Sequence, residues 1–210
     1  MKNLNTFFRH GLLVSLLALP IGALADEDPH AKHRAMMKQK SKPAAESAEI
    51  DLRDRPLVDQ HGRDVMFVSD VIGDDIVVMD FVYTTCTTIC PVLSALFKQV
   101  QTKLGDDVGK GITLVSMSVD PIRDTPQRMK AYSAKHGAGD GWLWLTGAKP
   151  VVDEVLVGLG AYTTNFEDHP TMVLIGDGQT GEWKRLFGFP NPDRIVQVVN
   201  DMREQRNAGG

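Results

Sequence analysis

Cys86 and Cys90 are the only cysteines in the chain, and both fall in FVYTTCTTICP, residues 81–91. Three chemistries suit two thiols placed so close: a structural disulfide, a redox pair, or two ligands of a metal ion. A bridge closing so short a loop removes little entropy from the unfolded chain and stabilises little. Inert buried thiols have no need to be neighbours. The pair therefore reads as chemical rather than structural, and its working form is the thiolate, which attacks disulfides and binds soft metals.

The elements around the pair must position it. DDIVVMDFVY reads as a strand with a buried centre, and VLSALFKQVQTKL as a helix with Leu93, Leu96, Phe97, Val100 and Leu104 on one face. Pro91 suits a first helical position. A residue before proline is pushed out of the helical region, so Cys90 is expected to be extended, at the N-cap. There the positive helix end would favour its thiolate. Cys86 then lies in the loop between strand and helix.

Further along, LVDQHGRDVMFVS reads as a hairpin turning at Gly62, and GITLVSMSV as a strand. RDTPQRMKAYSAKHG is a helix capped by Thr125, with Pro126 inside its start and Gly137 past its end. WLWLTG is a short strand, KPVVDEVLVGLG a short helix, and TMVLIGDGQTGEWKRLFG two strands around a turn. NPDRIVQVVNDMREQ closes the chain as a helix capped by Asn191. A β-α-β half followed by a β-β-α half predicts an α/β, thioredoxin-like domain over residues 50–206, with an N-terminal hairpin extension. Thioredoxin-type pairs have two residues between the cysteines. Three relax the redox geometry and leave room for an ion.

Two sulfurs need a third ligand, and the chain has six histidines. His10 lies near the N-terminus, His30 and His33 in a polar segment, His61 in a hairpin turn and His136 at a helix end. His61 and His136 read as solvated surface residues. His169 stands in FEDHPTMVLI, directly before a strand whose start faces the cysteine loop in such a sheet. Folds of this kind commonly hold a cis-proline there, and Pro170 is the candidate. Cys86, Cys90 and His169 form a coherent ligand set of two soft sulfurs and one nitrogen. That set suits Cu(I), or Cu(II) with an additional ligand. Zinc prefers a fourth donor, which the sequence does not offer.

Lys2 and Arg9, the apolar run GLLVSLLALPIG and the small-residue Ala23-Leu24-Ala25 give residues 1–25 the form of a secretory signal peptide. Its removal takes the net charge from −4 to −6, which argues against nucleic-acid binding. Export places the mature chain in a bacterial periplasm, with membrane anchoring only through an uncleaved signal. Residues 26–49, charged and free of aromatics, read as a flexible linker. Within it His30, His33, Met36 and Met37 carry imidazole and thioether groups that bind copper, or form an ordinary tether.

Four stretches resemble the Sco/SenC family of copper-binding assembly proteins: YTTCTTICP, VSMSVDPIRDTP, GWLWLTG and DHPTMVLIGDG, in that order within residues 50–202. The resemblance implies a thioredoxin-like fold and copper held by Cys86, Cys90 and His169. It implies copper delivery to, or thiol reduction of, a cuproenzyme subunit with a CuA-type site, as in cytochrome c oxidase. Thiol-disulfide exchange on partner cysteines without copper transfer is the alternative.

Other residues read two ways. Asp168 orients His169 or is simply solvated. Asp120 serves the site at the carboxyl edge of the sheet or makes a turn before Pro121. Asp80, the odd acid in IVVMDFV, needs a partner or an exposed face. Trp142, Trp144 and Tyr83 read as packing.

Overall fold

The structure, a computed structural model, describes residues 45–209. The expected signal peptide, residues 26–44 and the cluster from His30 to Met37 lie outside them.

The chain begins with β1 (Glu46–Ser47), β2 (Pro56–Val58), β3 (Asp64–Met66) and a π-helical turn (Phe67–Ile72). It continues as β4 (Ile76–Val82), α1 (Ile89–Leu104), β5 (Ile112–Ser118), α2 (Pro126–Lys135) and β6 (Trp142–Leu145). It ends with α3 (Lys149–Gly158), β7 (Met172–Asp177), β8 (Trp183–Phe187) and α4 (Pro192–Gly209). Six strands form one sheet in the order β1-β8-β7-β4-β5-β6, and β2 and β3 form a separate hairpin.

β4 and β5 are buried on both faces, as unbroken apolar runs in a parallel sheet require. They pair in parallel from Ile76–Ile112 to Val82–Ser118. Side chains of β4 alternate between two cores. Ile76, Val78 and Val82 pack with Leu93, Phe97, Trp142 and Ile195, under α1 and α4. Val77, Met79 and Phe81 pack with Leu57, Phe67 and Val155, under the hairpin and α3. The expected helical face of α1 is the buried one, and Trp142 and Trp144 stack 5.2 Å apart inside the first core. The parallel β4–β5 unit, followed by antiparallel β7 and β8 and then α4, is the thioredoxin-like arrangement.

This topology decides where chemistry can gather. β4 and β5 are parallel, while β7 runs antiparallel to β4 with Met79 opposite Leu174. The exit of β4, the exit of β5 and the entry to β7 therefore share one sheet edge.

Three expectations need correction. The hairpin's second strand ends at Met66, because Asp70 accepts the Met66 N–H at 2.7 Å and Asp54 accepts those of Val68 and Ser69, turning the chain. The linker's last residues are ordered at the sheet edge, with Glu46 opposite Arg185 and Ser47 opposite Lys184. Pro170 is trans, as is every peptide bond among the described residues.

Candidate metal and thiol centre

β4 ends at Val82, and the chain leaves it in a turn closed by the Cys86 N–H on the Tyr83 carbonyl at 3.1 Å. α1 starts at Ile89, two residues earlier than Pro91 alone suggests, so Cys90 is inside its first turn rather than extended. Two local effects outweigh the preference imposed by proline. The Cys90 side chain is 1% exposed in the core, and its N–H, which would have no helical acceptor, donates to Cys86 Sγ at 3.3 Å. The N-cap residue, Thr88, makes no side-chain capping bond. The Cys86 sulfur supplies one instead.

That geometry reverses the expected roles of the two thiols. Burial alone would push the Cys86 thiol up. Hydrogen bonds from the Cys90 thiol, the Cys90 and Thr88 backbone N–H groups and the Tyr83 hydroxyl outweigh it and bring Cys86 down to about 7. Burial pushes Cys90 far up, and its bond to Cys86 and the charges of Cys86 and Asp80 add to the shift. Cys86 is the ready thiolate and Cys90 its protonated partner, both unbridged. Alkylation of the reduced protein should therefore fall on Cys86, with a rate rising through pH 7. Peptide mapping that finds Cys90 modified first would contradict this order.

His169 follows a short 3-10 turn, Phe166–Asp168, at the entry to β7. Its ring meets that of Tyr83 edge-on, with centroids 6.0 Å apart. Tyr83 also meets Phe166 edge-on at 5.1 Å, and the Arg123 guanidinium lies 5.5 Å from the Phe166 ring centre. The Tyr83 ring packs, as expected, and joins the cysteine turn to the histidine turn, but its hydroxyl also acts on Cys86, which the packing reading did not include. Nδ1 of His169 lies 3.3 Å from the Pro170 carbonyl oxygen. A proton on Nδ1 would donate there and leave Nε2 open to a metal. Burial lowers the pKa of His169, against the Pro170 bond, which favours the neutral imidazole that ligates. The fold thus brings His169 to the edge that carries both thiols. Among the described residues, no three Cys, His, Asp or Glu side chains converge closely enough to hold a metal ion. The two sulfurs are together, and the imidazole stands beside Tyr83.

The acids sort clearly. Asp168 is exposed and accepts from the Asn165 amide at 3.1 Å, not from His169. Asp120 is buried at the exit of β5, where it pairs with Arg123 at 2.9 Å and shapes the turn. Asp80 is fully buried on the α1 side of the sheet. Its Oδ1 accepts from Ser116 Oγ at 2.6 Å, which in turn accepts from Trp142 Nε1 at 3.0 Å, while Oδ2 has no partner among the described residues. Burial pushes its carboxyl up to about 7 against the Ser116 bond.

Asp124 is the residue that sequence reading missed. Its Oδ1 accepts the Thr84 N–H at 3.0 Å and the Thr84 hydroxyl at 2.6 Å. Its Oδ2 accepts the Ser118 hydroxyl at 2.6 Å. One buried carboxylate thus fastens the cysteine turn to the end of β5. Only its position just before the Thr125 cap marks it in the sequence. His136 also departs from expectation: it is partly buried against Tyr132, with ring centroids 4.6 Å apart, and burial lowers its pKa.

Known proteins share this fold. The chain is 34% identical over 89 residues to a SCO1 protein homolog of Bacillus subtilis, a match that spans 42% of this chain and only 45% of that relative. Arabidopsis thaliana ScoI with copper bound superposes with a TM-score of 0.62 at 21% identity, covering 75% of this chain and 99% of that one. BsSco, a member of the Sco family of cytochrome c oxidase assembly proteins that carries a disulfide switch, superposes with a TM-score of 0.63 at 23% identity, covering 75% and 96%. Likeness at these identities establishes the shared fold. The SCO1/SenC family model matches residues 51–203, from the hairpin through the cysteine turn and His169 into α4, and the chain belongs to that family.

Proposed function

We propose that this chain is an exported copper metallochaperone. Residues 1–25 direct export to the periplasm, and the segment after them tethers the domain. Cys86, Cys90 and His169 take one Cu(I) and pass it to a cuproenzyme such as the CuA-bearing subunit of cytochrome c oxidase. The observation that carries this reading is a dithiol at a helix start with a neutral imidazole at the same sheet edge. The copper-bound relative and the oxidase-assembly relative support it.

Copper is cargo here, so the site must release it. The sulfurs are already adjacent, whereas the imidazole rests against Tyr83 on its own turn. Loading draws the His169 ring towards the sulfurs. Delivery reverses this, as thiolates of the recipient replace the ligands one at a time. Anaerobic titration of the reduced mature protein against a Cu(I) chelator should saturate at one copper per chain. Absence of saturable uptake would sink the reading.

A second reading has its own support, because the thiol pair is assembled while the three-ligand set is not. As a reductase, the Cys86 thiolate attacks a partner disulfide and one partner sulfur leaves as thiolate. Cys90 then gives up its proton and attacks Cys86 in the mixed disulfide, which releases the second partner thiolate. The pair ends as a disulfide and the partner as a dithiol, a transfer of two electrons.

A further inference from the structure

Among the described residues, nine Lys or Arg side chains form salt bridges, and none of them lies on α2. That helix, PQRMKAYSAK, carries Arg128, Lys130 and Lys135 and no acid. Arg128, Ala131, Tyr132 and Lys135 recur at helical spacing and so share one face. Together with Thr84 and Thr85 they line an open cleft of about 350 Å³. Thr85 is the neighbour of Cys86. The Arg128 guanidinium donates one bond, to the Arg123 carbonyl at 3.2 Å, and Lys135 makes no hydrogen bond within the described chain. A chain of net charge −4 thus concentrates beside its thiol pair positive charge that forms no salt bridge among the described residues.

The same sheet edge is rimmed with exposed apolar side chains. Seven large ones are exposed among the described residues. Ile89 and Val92 sit on the first turn of α1, Ile122 follows β5, and Phe187 and Phe189 flank the exit of β8. Tyr162 lines a pocket with Ile122. Only Val157, on α3, lies away from this edge. The flank beyond His169 is the reverse in charge, with Glu167 and Asp168 exposed. A surface that is cationic on one side of the thiols, apolar around them and anionic on the other can orient a partner as well as attract it.

We propose that the α2 cleft docks an acidic segment of the protein with which the thiol pair exchanges copper or electrons. Carboxylates of that segment meet Arg128 and Lys135, and its apolar residues rest on Ile89 and Val92. This rests on the proposed exchange with a partner and adds the partner's chemistry.

The test separates docking from chemistry. Three fluorescein-labelled peptides share a Ser-x-x-x-Ser centre, which can neither bind Cu(I) tightly nor form a disulfide, and are flanked by glutamate, glutamine or lysine. Anisotropy at low salt should show the wild type binding the glutamate peptide on the order of tenfold tighter than the lysine peptide, a gap that closes near 0.5 M salt, where exposed charges are screened. Arg128→Glu/Lys135→Glu should invert the order. Lys110→Glu, at the opposite sheet edge, should leave it unchanged. Both variants alter exposed side chains, and circular dichroism should match wild type. No acidic preference, or a preference that survives the reversal, overturns the proposal. So does a dimer of the chain that the reversal splits, since the occupant is then a second copy. Lost Cu(I) uptake with the peptide preference intact would sink the metallochaperone reading alone, and lost preference with uptake intact would sink the docking surface alone.

Discussion

Cys86→Ser or Cys90→Ser should weaken Cu(I) binding on the order of a thousandfold, equivalent to about 4 kcal/mol. A serine hydroxyl stays protonated at neutral pH and is a hard oxygen donor, whereas Cu(I) prefers thiolate. The two replacements differ in their side effects. Cys86 accepts the Cys90 N–H at the start of α1, so Cys86→Ser keeps an acceptor there and the helix should hold. Cys90 is fully enclosed, so Cys90→Ser places a hydroxyl in the core and should also lower stability. His169→Ala should cost less, on the order of a hundredfold or about 3 kcal/mol, because the two sulfurs still hold the ion. Competition with a chelator reads all three. If His169→Ala leaves Cu(I) affinity intact but alters thiol-disulfide exchange, the reductase reading replaces the chaperone.

Asp80→Asn should stabilise the protein at pH 7.5 by about 4 kcal/mol relative to wild type, since the shift from 3.8 to about 7 corresponds to roughly 3 units at 1.36 kcal/mol each. The folded state raises this carboxyl, so folding favours its protonated form. The stability it contributes is fully present below pH 3.8 and is lost as pH rises through about 7. Asparagine keeps an oxygen for the Ser116 hydroxyl, stays neutral at every pH and has a similar shape. Urea unfolding of both proteins at intervals from pH 4 to 8 isolates the effect, because groups common to both cancel in the difference. The two should nearly coincide at pH 4 and diverge above it. A difference that does not change with pH would mean that Asp80 is ionised in the folded protein without cost.

The sequence carried most of the fold because the fold's determinants are local. The two-sided runs IVVMDFV and ITLVSMS, the spacing from Leu93 to Leu104, and the Thr125 and Asn191 caps each specify an element within a few residues. The departures come from contacts between distant residues. The β3 strand yields to a π-helical turn because Asp54 accepts N–H groups fourteen and fifteen residues away. The linker's end becomes a strand because β8 offers a free edge.

Legibility of the site divides in the same way. Motif and topology together point to Cys86, Cys90 and His169 at one edge. The proline rule misplaced Cys90 because it weighs backbone sterics and cannot see a sulfur positioned to accept an N–H. The thiol order reversed for the same reason: charge preference at a helix start depends on which sulfur faces the N–H groups and which is enclosed. Asp124 was invisible because its partners, Thr84 and Ser118, are joined only by the pairing of β4 with β5.

X-ray absorption at the copper edge of the Cu(I)-loaded mature protein tests the central claim directly. Two sulfur scatterers and one imidazole nitrogen are expected, with the nitrogen absent in His169→Ala. A spectrum with sulfur ligands alone, identical in wild type and His169→Ala, would contradict the three-ligand site.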